Sequence, residues 1–330
     1  MDFNGIIGQG KVIGSLKRAL AENRVGHAYI FSGPDGIGKK TIARIFAGLL
    51  LCEDPKDGAS CGSCIPCRMY ENGSNPDYHA VACDEASIGV DLIRQMQSDV
   101  AIKPMYSKRK VYIIEDASKM TEQAQNCLLK TFEEPPPYVV IILLSNNYDA
   151  LLETIRSRAQ RINFSKYTYE QVYQAVMQKY AGVAKQVELA VSYADGNIGI
   201  ALELAGSGEL SILRDKTLEL VTCAARGETD KILEFETFLD DNKESIGLIL
   251  DILLLYYRDL LVMSETGNEN ILINSDKKDM ILKNVRMYSN RRILSSIAAV
   301  EEIRRAVKQN ANYQLSMDKL LIKIREDTGW

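Results

Sequence analysis

The chain has 330 residues, too many for one ordinary core and enough for two or three domains. Hydrophobic residues make up 46% and charged residues 25%, the balance of a soluble globular protein, and the formal net charge is -4. That sign excludes a global positive field for nucleic acid, so any DNA contact has to come from a local patch.

Residues 28–32 read as a short apolar strand, followed by a glycine-rich turn and a helix over 39–51. A second strand is expected at 79–83, a helix at 88–100 and a buried strand at 111–115. A helix over 121–134 stops at Pro135-Pro136-Pro137, which lack backbone donors. Residues 138–145 form the most apolar strand and 161–164 the last. Strands separated by helices predict an α/β domain with a parallel sheet and right-handed crossovers. Beyond residue 164 the strand signals fade. Thr168 with Gln171 fits a capping box, helical patterns run to about 204, and 205–208 read as a break. Helices follow at 246–261 and 291–308. A final one carries Met317, Leu320, Leu321 and Ile324 at helical spacing. The start, Met1-Asp2-Phe3-Asn4-Gly5, lacks the basic residues and apolar run of a signal peptide. The longest apolar stretches, 138–144 and 246–257, fall short of a membrane span or are interrupted by charge, so a cytoplasmic protein without membrane contact is expected.

The turn after the first strand reads Gly33-Pro34-Asp35-Gly36-Ile37-Gly38-Lys39-Lys40-Thr41. Its glycines let backbone N–H groups aim at phosphates, the helix N-terminus adds a positive end, and Lys39 supplies a point charge. The position that wants a Mg²⁺-binding hydroxyl is Lys40, with the hydroxyl displaced to Thr41. An ammonium cannot ligate Mg²⁺, which leaves ATP binding open and argues against hydrolysis. The other reading is a relic loop that holds the start of the helix. The third strand ends in Glu115-Asp116. In P-loop ATPases an Asp then a Glu hold the metal and polarise water, and here the order is reversed, which harms positioning. Solvated turn acids are the competing reading.

Cys52, Cys61, Cys64 and Cys67 have the spacing C-x8-C-x2-C-x2-C, with Gly58, Gly62 and Pro66 supplying turns. Four thiolates satisfy tetrahedral Zn²⁺, and in a reducing compartment this structural site is favoured over disulfides. Cys83, Cys127 and Cys223 read as apolar filler. His27 and His79 have no sequence-near nucleophile and read as core or surface residues. Lys103, Lys108, Arg109 and Lys110 form a basic run, with a solvated face and a DNA contact both open.

Gly8-Gln9, the segment from Arg24 to Phe31, the cysteine insert, the segment from Asn126 to Pro136 and Thr154-Ile155-Arg156-Ser157-Arg158 together resemble the bacterial DNA polymerase III clamp-loader ATPase subunits. The resemblance implies an AAA+ P-loop core over 1–165 with a zinc insert at about 52–67. A helical lid over 166–207 and an all-α collar over 208–330 follow. It places Asn146 as the polar residue after the fourth strand that senses nucleotide. It places Arg158 as a finger reaching a neighbouring subunit's phosphate, against the plain reading of a surface arginine paired with an acid. Gly199, within Gly196-Asn197-Ile198-Gly199, stands where active members carry a nucleotide-touching arginine. These departures favour the family's delta-prime-type branch over its gamma/tau motors. The implied role is scaffold and arginine donor in the loader that puts a sliding clamp on primed DNA. The implied partners are gamma/tau, delta, the clamp and, through the assembly, primed-template DNA. An active gamma/tau-like motor is the alternative. An unrelated P-loop enzyme is a third reading, opposed by the cysteine insert and Ser157-Arg158.

Overall fold

The computed structural model describes residues 1–82, 87–180, 184–309 and 311–325. Its first part runs α1 (Gly10–Ala21), β1 (Ala28–Ser32), α2 (Lys39–Leu51), α3 (Ile65–Glu71), β2 (Tyr78–Val81), α4 (Val90–Val100), β3 (Lys110–Ile114), α5 (Glu122–Glu133), β4 (Val139–Ser145), α6 (Glu153–Arg156), β5 (Gln160–Asn163) and α7 (Tyr169–Met177). The remainder is helical: α8 (Ala184–Tyr193), α9 (Ile198–Ser207), α10 (Glu209–Ala225), α11 (Thr229–Asp241), α12 (Ile246–Thr266), α13 (Lys278–Val285), α14 (Asn290–Lys308) and α15 (Tyr313–Arg325). Two compact units result, Met1–Ala175 with Gly196–Gly199, and Val176–Asp195 with Ile200–Trp330. Among the described residues no helix is long and apolar enough to cross a membrane.

The first unit is built on five parallel strands in the order β2-β3-β4-β1-β5. β1 lies between β4 and β5, with Ile30 opposite Leu143 on one side and Arg161 on the other. Every residue of β1, β3 and β4 is buried, because helices cover both faces of the sheet. That is why these strands read as unbroken apolar runs rather than alternating ones. Side chains still alternate between faces. Ile30 joins Ile114, Leu143, Leu128 and Phe132 in one layer. Tyr29 points the other way and meets Phe46 of α2 edge-on at 5.5 Å. Each such buried side chain contributes about 1.5–3 kcal/mol.

Local signals set most boundaries. Thr121 caps α5 by accepting from the Ala124 N–H at 3.2 Å. The capping box is reciprocal: Thr168 N–H donates to Gln171 Oε1 at 3.1 Å, and Gln171 N–H to Thr168 Oγ1 at 3.3 Å. α4 starts two residues later than expected because Ile88 is held in a β-bridge with Met120. The expected break at 205–208 narrows to Gly208, whose φ of +67° ends the helical path after Ser207. Cys83 lies outside the described residues. The basic run is shorter than the sequence suggested. Lys110 is the first residue of β3 and only 3% exposed, and its Nζ lies 2.8 Å from Asp99 Oδ1. The same carboxylate accepts from Tyr112 Oη at 2.6 Å and stands 2.9 Å from His79 Nε2. His79 also stacks on Tyr112.

In the second unit α12 is the central helix, with α10, α13 and α14 packed on it. Its Asp259 is fully buried. The carboxylate accepts from Ile273 N–H at 3.0 Å, Asn274 N–H at 2.8 Å, Asn274 Nδ2 at 2.9 Å and Arg258 Nη1 at 2.8 Å. Asn274 in turn accepts from Tyr193 Oη of α8 at 2.7 Å. The four expected core positions of α15 are all buried. Arg292 closes the end of that helix by donating to the Ile324 carbonyl at 3.1 Å. Removing one partner of a buried charged network costs roughly 3–5 kcal/mol. Asp259→Ala should therefore strip hydrogen-exchange protection from α12 and α8 while strands β1, β3 and β4 keep theirs. Unchanged protection in α12 would show that the network holds nothing.

Candidate functional site

The strand order brings three segments together. β3, β4 and β1 are neighbours, so the acids after β3, Asn146 after β4 and the phosphate loop after β1 share the C-terminal edge of the sheet. In an open parallel sheet this edge, beside the point where strand order reverses, is where ligands bind.

Within the loop, Gly36 and Gly38 adopt φ of +73° and +92°, a left-handed geometry that disfavours side chains. Gly38 caps α2, so the first amides of that helix face the loop. Lys39 is nearly buried. Its Nζ donates to Gly33 O at 2.5 Å and Pro34 O at 2.7 Å, and lies 3.3 Å from Asp35 Oδ1. Burial lowers its pKa below the ordinary lysine value, and the Asp35 carboxylate opposes that shift. The other Asp35 oxygen accepts from Asn146 Nδ2 at 2.6 Å, and the Asp35 carbonyl accepts from Asn197 Nδ2 at 2.5 Å. Asp35 thus gathers the lysine, Asn146 and Asn197 about one residue.

Lys40 and Glu115 form an ion pair of 2.6 Å. Asp116, at φ +48°, pairs instead with Lys119 at 2.9 Å. Thr41 is exposed on the first turn of α2. Gly199 N–H donates to the Gly36 carbonyl at 3.0 Å. A Cβ at 199 would stand 2.7 Å from both the Cα and the carbonyl oxygen of Gly36. A side chain at 199 would therefore require the loop backbone at Gly36 to move. Sequence reasoning missed Asp35, Asn197 and Tyr167, whose Oη donates to Ile37 O at 3.1 Å. The signal for Asp35 was an acid inside a phosphate-binding loop.

Arg158 is exposed, 3.2 Å from Glu133, and donates to Thr154 O at 3.1 Å. It precedes β5, whose residues Gln160–Asn163 lie beside Tyr29–Ser32 of β1. The phosphate loop follows β1. A strand's length, roughly 13 Å, therefore separates Arg158 from the end of the sheet that carries this chain's own loop.

The four clustered cysteines meet as expected. Cys52 ends α2, Cys64 caps α3 and Cys67 lies in its first turn. Their sulfurs all lie within 4.8 Å of one another. Tetrahedral Zn–S bonds of about 2.3 Å put sulfurs about 3.8 Å apart. Cys61 N–H points at Cys52 Sγ (3.3 Å) and Cys64 N–H at Cys61 Sγ (3.4 Å), contacts suited to thiolates. The Cys64 and Ser63 amides lower the Cys61 thiol to about 6. Burial pushes Cys52 and Cys67 up. A divalent ion among them would reverse that by direct charge. The cluster is geometrically able to hold a metal ion. Cys127 is separate and bonds Gln97.

A parallel sheet with a phosphate loop on β1, acids on β3 and a polar residue on β4 defines a core of the AAA+ type, here with a four-cysteine module and a helical region matching a collar domain. The family described as DNA polymerase III, delta subunit matches residues 8–168. That described as DNA polymerase III, delta subunit, C terminal matches residues 213–326. The DNA polymerase III subunit delta' of Bacillus subtilis (strain 168) is 30% identical over 326 residues, 96% of each chain. The subunit delta' of Pseudomonas aeruginosa is 40% identical over 134 residues, covering 40% of this chain and 41% of its own. The subunit tau of Bacillus subtilis is 32% identical over 294 residues, covering 82% of this chain and 52% of its own. The chain belongs to the bacterial DNA polymerase III delta/delta' family of clamp-loader subunits, related to gamma and tau. Within it the full-length likeness is to delta', and the chain acts as a delta'-like clamp-loader subunit.

Protein purified without chelator should carry one tightly held metal ion, and Cys64→Ser should lose it while the sheet stays folded. Elemental analysis with circular dichroism checks both. Full metal content in the variant would remove Cys64 from the ligand set.

Proposed function

We propose that this subunit is a scaffold and arginine donor rather than a motor. It assembles with gamma/tau and delta subunits into a loader that places a sliding clamp on primed-template DNA. Its own ATP site turns over slowly or not at all. Arg158 reaches the phosphate of an adjacent ATPase subunit. The position of Arg158 carries this reading: it lies at the end of the sheet away from the chain's own phosphate loop, so any phosphate it serves belongs to another subunit.

The weakness of the chain's own site has a separate basis. A Mg²⁺-dependent ATPase needs a hydroxyl and an acid on the metal. Lys40 and Glu115 occupy those positions and neutralise each other across 2.6 Å. Gly199 supplies no nucleotide-touching arginine, and a side chain there would need the Gly36 backbone to move. Lys39 and the loop amides remain, so ATP binding is the part of the activity best preserved.

We assign Zn²⁺ to Cys52, Cys61, Cys64 and Cys67. All four ligands come from protein, so the ion holds the insert and does no chemistry. The functional division follows the chain: a core over 1–165, a small helical lid over 166–207 and a collar over 208–330 that joins neighbouring subunits. Tyr167, Asn197 and Gly199 of that proposed lid touch the phosphate loop and share the first compact unit with it.

Two measurements test the reading. The isolated chain should hydrolyse ATP well below 1 s⁻¹, the low end of common turnover numbers, and turnover near that rate would favour the motor alternative. In a loader reconstituted with gamma/tau, delta, clamp and primed DNA, Arg158→Ala should lower stimulated ATPase. An arginine finger is worth on the order of 10³–10⁵ in rate at its own site. Because the other sites keep theirs, the loss for the whole complex should be several-fold. Full stimulated activity with Arg158→Ala would remove the finger role.

A further inference from the structure

The edge site departs from a magnesium site in one specific way. Mg²⁺ takes oxygen ligands in near-ideal octahedral geometry, and an ammonium is not among them. The two protein positions that would serve it are the residue after Lys39 and the acid that follows β3. They are Lys40 and Glu115, and Lys40 Nζ donates to Glu115 Oε2 at 2.6 Å. A metal ion at that carboxylate would have to displace an ammonium already bound there, or stand beside its charge.

The neighbouring donors do not rebuild the metal site. Thr41 carries the displaced hydroxyl but is exposed on the first turn of α2. Asp116 has a left-handed backbone, φ +48°, and pairs with Lys119 at 2.9 Å. Asn146 accepts from Ser118 Oγ at 2.9 Å through its Oδ1 and donates to Asp35 through its Nδ2.

What remains suits an anion. Lys40 keeps two N–H groups after its bond to Glu115, and its side chain is 50% exposed, so a ligand can reach them. Glu115 is only 19% exposed and fixes where the ammonium stands. Lys39 begins the same helix, whose first amides face the loop. Asp35 lies 3.3 Å from Lys39 Nζ and accepts from Asn146 Nδ2 at 2.6 Å, contacts that a phosphate oxygen can make in its place. Its side chain is 68% exposed and can turn into water.

We propose that this loop binds nucleoside triphosphate as the free anion, without a divalent metal. Lys40, tethered by Glu115, supplies the positive charge that Mg²⁺ supplies in a motor subunit. The inference rests on the reading that ATP binding outlasts hydrolysis at this site. An ammonium meets phosphate oxygens by charge-assisted hydrogen bonds. It offers no Lewis acid to the transferring phosphoryl group, so binding without turnover follows from the same substitution. A free triphosphate is also more negative than its magnesium complex, which suits a site whose cation is part of the protein.

The test titrates the full chain with ATP by isothermal calorimetry in two buffers. One is freed of divalent ions over a chelating resin before the protein is added, so that a metal held by the cysteines stays in place. The other contains Mg²⁺ in excess over ATP. Affinity in the magnesium-free buffer should equal or exceed that in Mg²⁺. Lys40→Ala should lower the magnesium-free affinity at least tenfold, with an unchanged melting temperature to show that the variant folds. The wild-type comparison stands without any variant. Three results would overturn the proposal. One is tighter binding by the wild-type chain in Mg²⁺, which also favours the motor alternative. Another is a folded Lys40→Ala protein that keeps its magnesium-free affinity. The third is no ATP binding in either buffer, which leaves the scaffold reading and the Arg158 assay standing. Loss of the Arg158 effect would in turn leave this titration unchanged, so the two ideas fail separately.

Discussion

The pairing of β1 between β4 and β5 is the constraint on which the rest of the first unit depends. It forces the chain from β1 to cross over two strands before returning, so that β3 and β4 end beside the phosphate loop. Without that order Glu115, Asn146 and Lys39 would be unrelated residues on separate turns. The same pairing fixes β5 alongside β1 and puts Arg158 at the other end of the sheet. One register therefore separates the phosphate loop from Arg158 by the length of a strand. The pairing is held by backbone bonds and by apolar side chains on both faces, so polar changes at the edges leave it intact. A site can lose residues needed for hydrolysis while the scaffold that displays Arg158 persists.

Charge within the edge site is balanced internally. Lys40 is matched by Glu115, Asp116 by Lys119, and Lys39 lies against Asp35. An ATP site normally leaves positive potential unmatched until phosphates arrive, because that imbalance drives binding. Here much of it is already cancelled. The pair between Lys40 and Glu115 weighs most, since it joins the two positions that would share a metal. Exposed pairs contribute little to stability, so this one has no evident structural need. Its consequence is for the chemistry that a metal at those two positions would support.

The parts of this molecule legible in sequence were those set by local rules. The capping box at Thr168 and Gln171, the cap at Thr121, the apolar spacing of α15 and the cysteine cluster all follow from contacts a few residues apart. What escaped was set by long-range geometry. Lys110 reads as one more surface cation beside Lys108 and Arg109, yet strand alternation buries it against Asp99. Ile88 reads as the start of a helix, yet pairing with Met120 holds it extended. Gly199 reads as a missing arginine, and only its approach to Gly36 shows that a side chain there would require the loop backbone to move. The motif residues of the phosphate loop were visible at once, but their mutual neutralisation was not. Charge pairing across 75 residues, as between Lys40 and Glu115, leaves no trace in spacing.

Asp77 and Asp259 show how the two units use one device. Each is a fully desolvated carboxylate, each accepts consecutive backbone N–H groups from a distant loop, and neither touches the edge site. A buried acid is a poor means of adding stability, because its desolvation offsets most of what its hydrogen bonds return. It is a good means of fixing one loop conformation among many. An alternative backbone path leaves the charge unsatisfied and is strongly disfavoured. In the second unit the fixed loop carries Asn274, which accepts from Tyr193 and so ties α8 to α12. In the first the fixed loop carries Met105 and Tyr106, whose side chains are exposed to solvent. Asp77 fills its oxygens with three backbone N–H groups of one loop, whereas Asp259 adds two side-chain donors to two backbone ones.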